Sequence, residues 1–152
     1  MKLPKGITGF NLNWTKEEQE LSKNKISKVI SLIKAYRFHE LIESIEPTHS
    51  SNYYRIKLKE YKTNELYDLL INPVELFSCC IESNSKWMNL KFITFPTILK
   101  QTLEQHIIIL EPEFLIKKAD STELEQLNKF EMKEIKSWKT EKIGEIIFNG
   151  YD

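Results

Sequence analysis

The sequence predicts an α+β domain, with a mostly antiparallel sheet, an N-terminal helix, C-terminal helices and a docked C-terminal strand. Three observations predict it. Apolar residues recur at helical spacing from Leu21 to Tyr36, "YYRIKLKEY" alternates with a period of two, and three more strand-like runs follow closely. The 152 residues are read as one domain, 1–152, long enough to bury most of its apolar surface.

The elements follow in chain order. Gly6 and Gly9 bracket an apolar opening that includes Phe10 and Trp14. "TKEE" then reads as a capping box, with Thr15 at N-cap and Glu18 at N3, so a helix is expected over about residues 15–35. Its inward stripe is Leu21, Ile26, Val29, Ile30, Leu32, Ile33 and Tyr36. "YRFHELIESIEP" changes period and predicts a strand that Pro47 and "THSSN" turn back. In "YYRIKLKEY", Tyr54, Ile56 and Leu58 share one face and Arg55, Lys57 and Lys59 the other, which is expected to be wet. "ELYDLLI", "VELFSCCIE" and "LKFITF" complete an antiparallel meander.

Pro96 suits the first turn of a short helix, "PTILKQTLEQ", and Pro112 starts another through "EFLIKK". "HIIIL" between them reads as a strand buried on both faces. "DSTELEQLNKFEMKEIKSW" reads as one helix, with Thr122 and Glu125 as a capping box and an inward stripe from Leu124 to Ile135. The sequence closes on "KIGEIIFNGYD". Ile143, Ile146, Ile147, Phe148 and Tyr151 make this segment sticky, and "KIGEIIFN" is expected to be a core strand with Gly144 allowing a bend.

Composition narrows the classes. The apolar share is 41%, the charged share 29%, and 22 basic residues balance 22 acidic ones. A formal charge of zero argues against a general nucleic-acid binder. No apolar run is long enough to span a bilayer, and "MKLPKGITGF" has no secretory core. A cytoplasmic protein is expected. Cys79 and Cys80 are adjacent, so on a strand they face opposite ways and do not bridge; they read as small core residues in a reducing compartment.

The opening "LPKGITGF", together with Trp138, Lys139, Gly144, "IIFN" and the closing Tyr151 and Asp152, resembles the ends of a family of small bacterial immunity proteins of polymorphic toxin systems. The chain carries Tyr151 where that family has Trp. The resemblance covers roughly the first ten residues and the last fifteen. It implies a cytoplasmic protein that protects the producing cell by binding a cognate toxin, and it carries no binding residues with it.

Catalytic patterns give little. His39, His49 and His106 lack metal-ligand spacing, and no serine sits in a G-x-S-x-G elbow. The alternative enzymatic reading is a metal-dependent nuclease in which Glu46 and Glu60 hold Mg²⁺ and Lys62 positions the attacking water. Set against it, E-x-K spacing arises by chance in a Lys/Glu-rich chain. No catalytic activity, metal or cofactor is expected. A cytoplasmic adaptor is the other reading.

Charge is unevenly spread. Glu104 to Glu134 holds eight acids against four bases, whereas Arg55 to Lys62 holds four bases and one acid. An acidic C-terminal half could meet a basic toxin and speed association. Glu111, Glu113, Glu123 and Glu125 are therefore candidate partner-binding residues, although acids also gather at helix starts for dipole reasons. Trp87 in "ESNSKWMN" is the other candidate, either as an interface anchor or folded back onto the sheet.

Overall fold

The computed structural model describes residues 1–10 and 12–151, so Asp152, part of the tail pattern, lies outside the described residues. Helix α1 spans Lys16–Ala35 and begins where the sequence predicts. Thr15 caps it, its hydroxyl oxygen accepting from Glu18 N–H at 3.1 Å. Ile26, Val29 and Ile33 are buried one turn or two apart, while Leu21 and Tyr36 at the ends of the predicted stripe stay exposed.

Strands β1 (His39–Ile45), β2 (Tyr54–Glu60), β3 (Leu66–Ile71), β4 (Phe77–Glu82) and β5 (Phe92–Ile93) form the expected antiparallel meander, with β1 at one edge. Helix α2 (Thr97–Leu103) follows Pro96. The chain then returns to the outer edge of β4 as β6 (Ile108–Ile109), which runs parallel to it beside Phe77 and Ser78. "HIIIL" does hold a strand, two residues long, but it is not buried on both faces, since Ile108 is exposed. The cause is local: Ile107 N–H still bonds to Leu103 O at 3.2 Å, so the chain leaves the helical turn only at 108.

Four short helices close the structure: α3 (Pro112–Leu115), α4 (Ser121–Leu124), α5 (Lys129–Trp138) and α6 (Ile143–Ile147). Two sequence expectations need correcting. The long C-terminal helix is two helices, capped by Asp120 with Glu123 and by Asn128 with Glu131, not by Thr122 with Glu125. The first ends at Leu124, and Asn128 starts the second because its side chain takes the Glu131 N–H while Glu131 takes the Asn128 N–H.

The final segment is a helix, not a strand. Ile143, Ile146 and Ile147 fall at i, i+3 and i+4, and together with Phe148 they are fully buried. Gly144 does not bend a strand. A Cβ there would run into the Phe92 ring and reach within 3.0 Å of Leu115 Cβ, so glycine is what lets α6 press against β5 and α3.

The sheet has two covered faces. Tyr54, Ile56, Leu58, Leu69, Ile71 and Cys80 face α1 and α2 in one core. Leu70, Phe77, Cys79 and Ile81 face the N-terminal segment and α3, α5 and α6 in the other. The adjacent cysteines thus fall into different cores, both buried and free as expected, and burial pushes both thiols up from their ordinary pKa.

Candidate functional site

The two end segments come together in the fold. Asn52 and Asn72 each donate from Nδ2 to the carbonyls of both Ile7 and Ile147, at 2.8–3.0 Å. Asn149 Nδ2 donates to Thr8 O at 3.1 Å and to Ile146 O at 2.9 Å, and its backbone N–H donates to Asn52 Oδ1 at 2.9 Å. Three asparagines thereby satisfy buried carbonyls of segments that enter no sheet ladder. Tyr151 completes the closure. Its hydroxyl donates to Thr140 at 2.7 Å, and burial pushes its pKa up to about 12.

Trp87 belongs to the same closure. Its ring meets Trp138 and Tyr151 at centroid distances of 5.1 and 5.3 Å, and its Nε1–H donates to Glu145 O at 3.1 Å. The indole is folded back and engaged by the protein's own tail.

The four acids differ in exposure and in partners. Glu123 is 4% exposed, caps α4 and pairs with Lys117 at 3.1 Å, so it is not a surface residue open to a partner. Glu125 is paired with Lys2. Glu111 is half-buried, with one carboxylate oxygen unpartnered, and Glu113 is exposed in the first turn of α3. Local helix capping explains much of the acid excess that the charge count picks out.

The structure leaves a different surface open. The C-terminal layer covers β3 and β4 but not the same side of β1 and β2. Side chains directly opposite in an antiparallel pair share a face. Glu40 lies opposite Lys59, Glu43 opposite Lys57 and Ile45 opposite Arg55 on this open half. Arg55, Lys57 and Lys59 are partly exposed, matching the wet face read from the alternation. Beside it, β1 presents an unpaired edge, with a register shift between Leu41 and Glu43 and with Ile42 and Ile45 exposed.

At the boundary between covered and open halves sits an ion pair that the sequence reading missed. Arg55 Nε donates to Asp68 Oδ2 and Arg55 Nη2 donates to Ser85 O at 2.8 Å. Asp68 has no side-chain exposure, and its Oδ1 is unpartnered. The available signal was an acid inside the apolar run "LYDLLI", next to a strand carrying Arg55 and Lys57. A buried acid there requires a cation from a neighbouring strand.

The nuclease constellation comes apart. Glu60 pairs with His39 at one end of the β1–β2 ladder, while Glu46 follows Ile45 at the other, and Lys62 lies in the turn beyond β2 rather than on its face. Among the described residues, no group of three or more His, Cys, Asp or Glu side chains gathers as a metal site. His106 lies in the turn after α2 and His49 in the turn between β1 and β2. His39 is buried and shares a hydrogen bond with the Tyr67 hydroxyl. Burial lowers the His39 pKa, against a smaller upward pull from Glu60, and burial raises that of Tyr67. No helix among the described residues is long and apolar enough to cross a membrane.

The fold and this open face define a small α+β protein with an exposed sheet margin. No known protein family, no curated protein and no solved structure matches the chain.

Proposed function

We propose that the protein is an immunity protein, which binds a cognate toxin inside the producing cell and neutralises it by covering it rather than by catalysis. The observation that carries this reading is the uncovered β1–β2 half of the sheet beside an unpaired edge strand. Open strand edges with exposed apolar side chains are surfaces that proteins ordinarily cover or charge. Here Glu40 and Glu43 guard the strand against self-pairing, while Ile42 and Ile45 remain available to a partner. The resemblance read in the two end segments favours the same reading. Those segments act as its structural closure, which leaves the recognition surface elsewhere.

The test joins a biological and a physical measurement. The toxin encoded beside this gene is expressed with and without this chain, and the two purified proteins are titrated by calorimetry. Survival restored by the native chain, with stoichiometric binding, is the expected result. Binding is expected to weaken in Lys57→Gln and Lys59→Gln variants, which remove charge without placing like charges opposite Glu43 and Glu40. No rescue and no association would overturn the immunity reading. Binding to an unrelated cytoplasmic protein instead of a toxin would favour the adaptor.

A further inference from the structure

The groove between the open face of β2 and the 83–87 loop is small and charged. Its volume is about 260 Å³, below the roughly 300–1,000 Å³ of pockets that enclose a drug-sized ligand. It suits one inserted side chain rather than a metabolite. Arg55, Lys57 and Lys86 line it, against Glu43 and Asp68.

Arg55 is what makes the groove more than a patch of surface charge. A free arginine fork samples many orientations and gives up that freedom on binding. This one is held by Asp68 through Nε, by Ser85 O through Nη2 and by a side-chain hydrogen bond with Tyr53, yet its side chain remains 21% exposed. Asp68 spends none of its charge on solvent, because it is fully buried and Arg55 is its ion-pair partner. Lys57 and Lys86 then add two cations, against the single acid Glu43 opposite Lys57, beside a guanidinium whose own charge is balanced by Asp68.

We propose that this groove receives a carboxylate side chain, Asp or Glu, of the protein that docks on the β1–β2 face, with Arg55 as its hydrogen-bonding fork and Lys57 and Lys86 as flanking charges. The proposal rests on the reading that a protein docks there, and it names the chemistry the partner must bring. A planar carboxylate matches a guanidinium edge better than any neutral group does. It also reverses the polarity expected from the charge count, since the partner contributes the acid.

The experiment uses the protein alone. Isotope-labelled protein is titrated with acetyl-Gly-Glu-Gly-amide, with the Gln analogue and with inorganic phosphate, and the Arg55 Nε–H and the amides of 84–86 are followed by NMR. The expected result is a shift confined to these groups with the glutamate peptide and absent with glutamine. Lys57→Gln with Lys86→Gln, both surface changes, should weaken the response about tenfold while thermal unfolding stays unchanged. Equal shifts with the glutamine peptide, or no shift at all, would overturn the proposal. A stronger response to phosphate than to the glutamate peptide would overturn the assignment to a protein carboxylate. The titration contains no toxin. Toxin binding without any peptide response removes only the groove, whereas a peptide response without toxin binding removes only the immunity reading.

Discussion

Glu131 Oε1 accepts two hydrogen bonds from Thr8, one from its backbone N–H at 3.1 Å and one from its hydroxyl at 2.7 Å, across 123 residues of chain. The other carboxylate oxygen takes the Asn128 N–H at 3.0 Å. One fully buried side chain therefore caps α5 and anchors the N-terminal segment. Glu131→Gln puts an amide N–H₂ where one of these donors now points. Leaving a buried donor unsatisfied costs about 1–3 kcal/mol. Urea unfolding should show the midpoint falling with the slope unchanged. An unchanged midpoint would mean that Thr8 and Asn128 find other acceptors.

The asparagine closure predicts coupling. Asn52 and Asn72 donate to the same two carbonyls, so either one alone leaves Ile7 O and Ile147 O with a partner. The double variant Asn52→Ala/Asn72→Ala strands both carbonyls. Its loss should exceed the sum of the single losses by about 0.5–3 kcal/mol. Strict additivity in a double-mutant cycle would show that the two side chains act independently.

Truncation before Ile143 removes four fully buried apolar side chains, Ile143, Ile146, Ile147 and Phe148. Each contributes roughly 1.5–3 kcal/mol, against about 5–15 kcal/mol for a whole domain. The shortened chain is expected to be unfolded or molten, with the near-UV circular dichroism of Trp87 and Trp138 lost. A sharp, native-like melt would show that α6 is dispensable.

His39 gives the fold a pH dependence. Its folded pKa lies below the ordinary 6.5 because burial disfavours the imidazolium. The unfolded chain therefore binds the proton more readily. This contribution to stability is complete above the unfolded pKa and is lost as pH falls below about 6.5. Chemical unfolding of native protein and of His39→Gln, compared from neutral to mildly acidic pH, should show a steeper decline for the native chain. Parallel curves would assign the acid sensitivity to other groups.

Where local chemistry is self-sufficient, the fold could be read in advance. The Thr15 cap, the alternation of β2 and the meander through β5 each rest on signals a few residues long. The final helix could not be read this way. In eight residues, "KIGEIIFN" satisfies a strand pattern and a helical one equally well. The choice depends on Phe92 and Leu115, whose closeness to Gly144 is a tertiary fact. The two C-terminal helices read as one because Asp120 and Asn128 cap as well as Thr122 would, and only packing shows which are used. The acids picked by charge count are partly consumed as helix caps. The Arg55–Asp68 groove depends on strand register and on a loop that returns from residue 85. No short window of sequence contains it.

The knot of Asn52, Asn72 and Asn149 also sets an order of events during synthesis. Residues 3–8 leave the ribosome well before residues 146–149, yet the carbonyls of Ile7 and Thr8 share their donors with those of Ile147 and Ile146. At roughly 5–20 residues per second, Leu3 waits on the order of ten seconds for Tyr151 to be made. Until then one face of the nascent sheet, with Leu70, Phe77, Cys79 and Ile81, lacks the part of its cover that α6 and Tyr151 supply. A chaperone that recognises short apolar strands would find its target in that interval. A ribosome stalled before Ile143 is made would hold the sheet in this adhesive form.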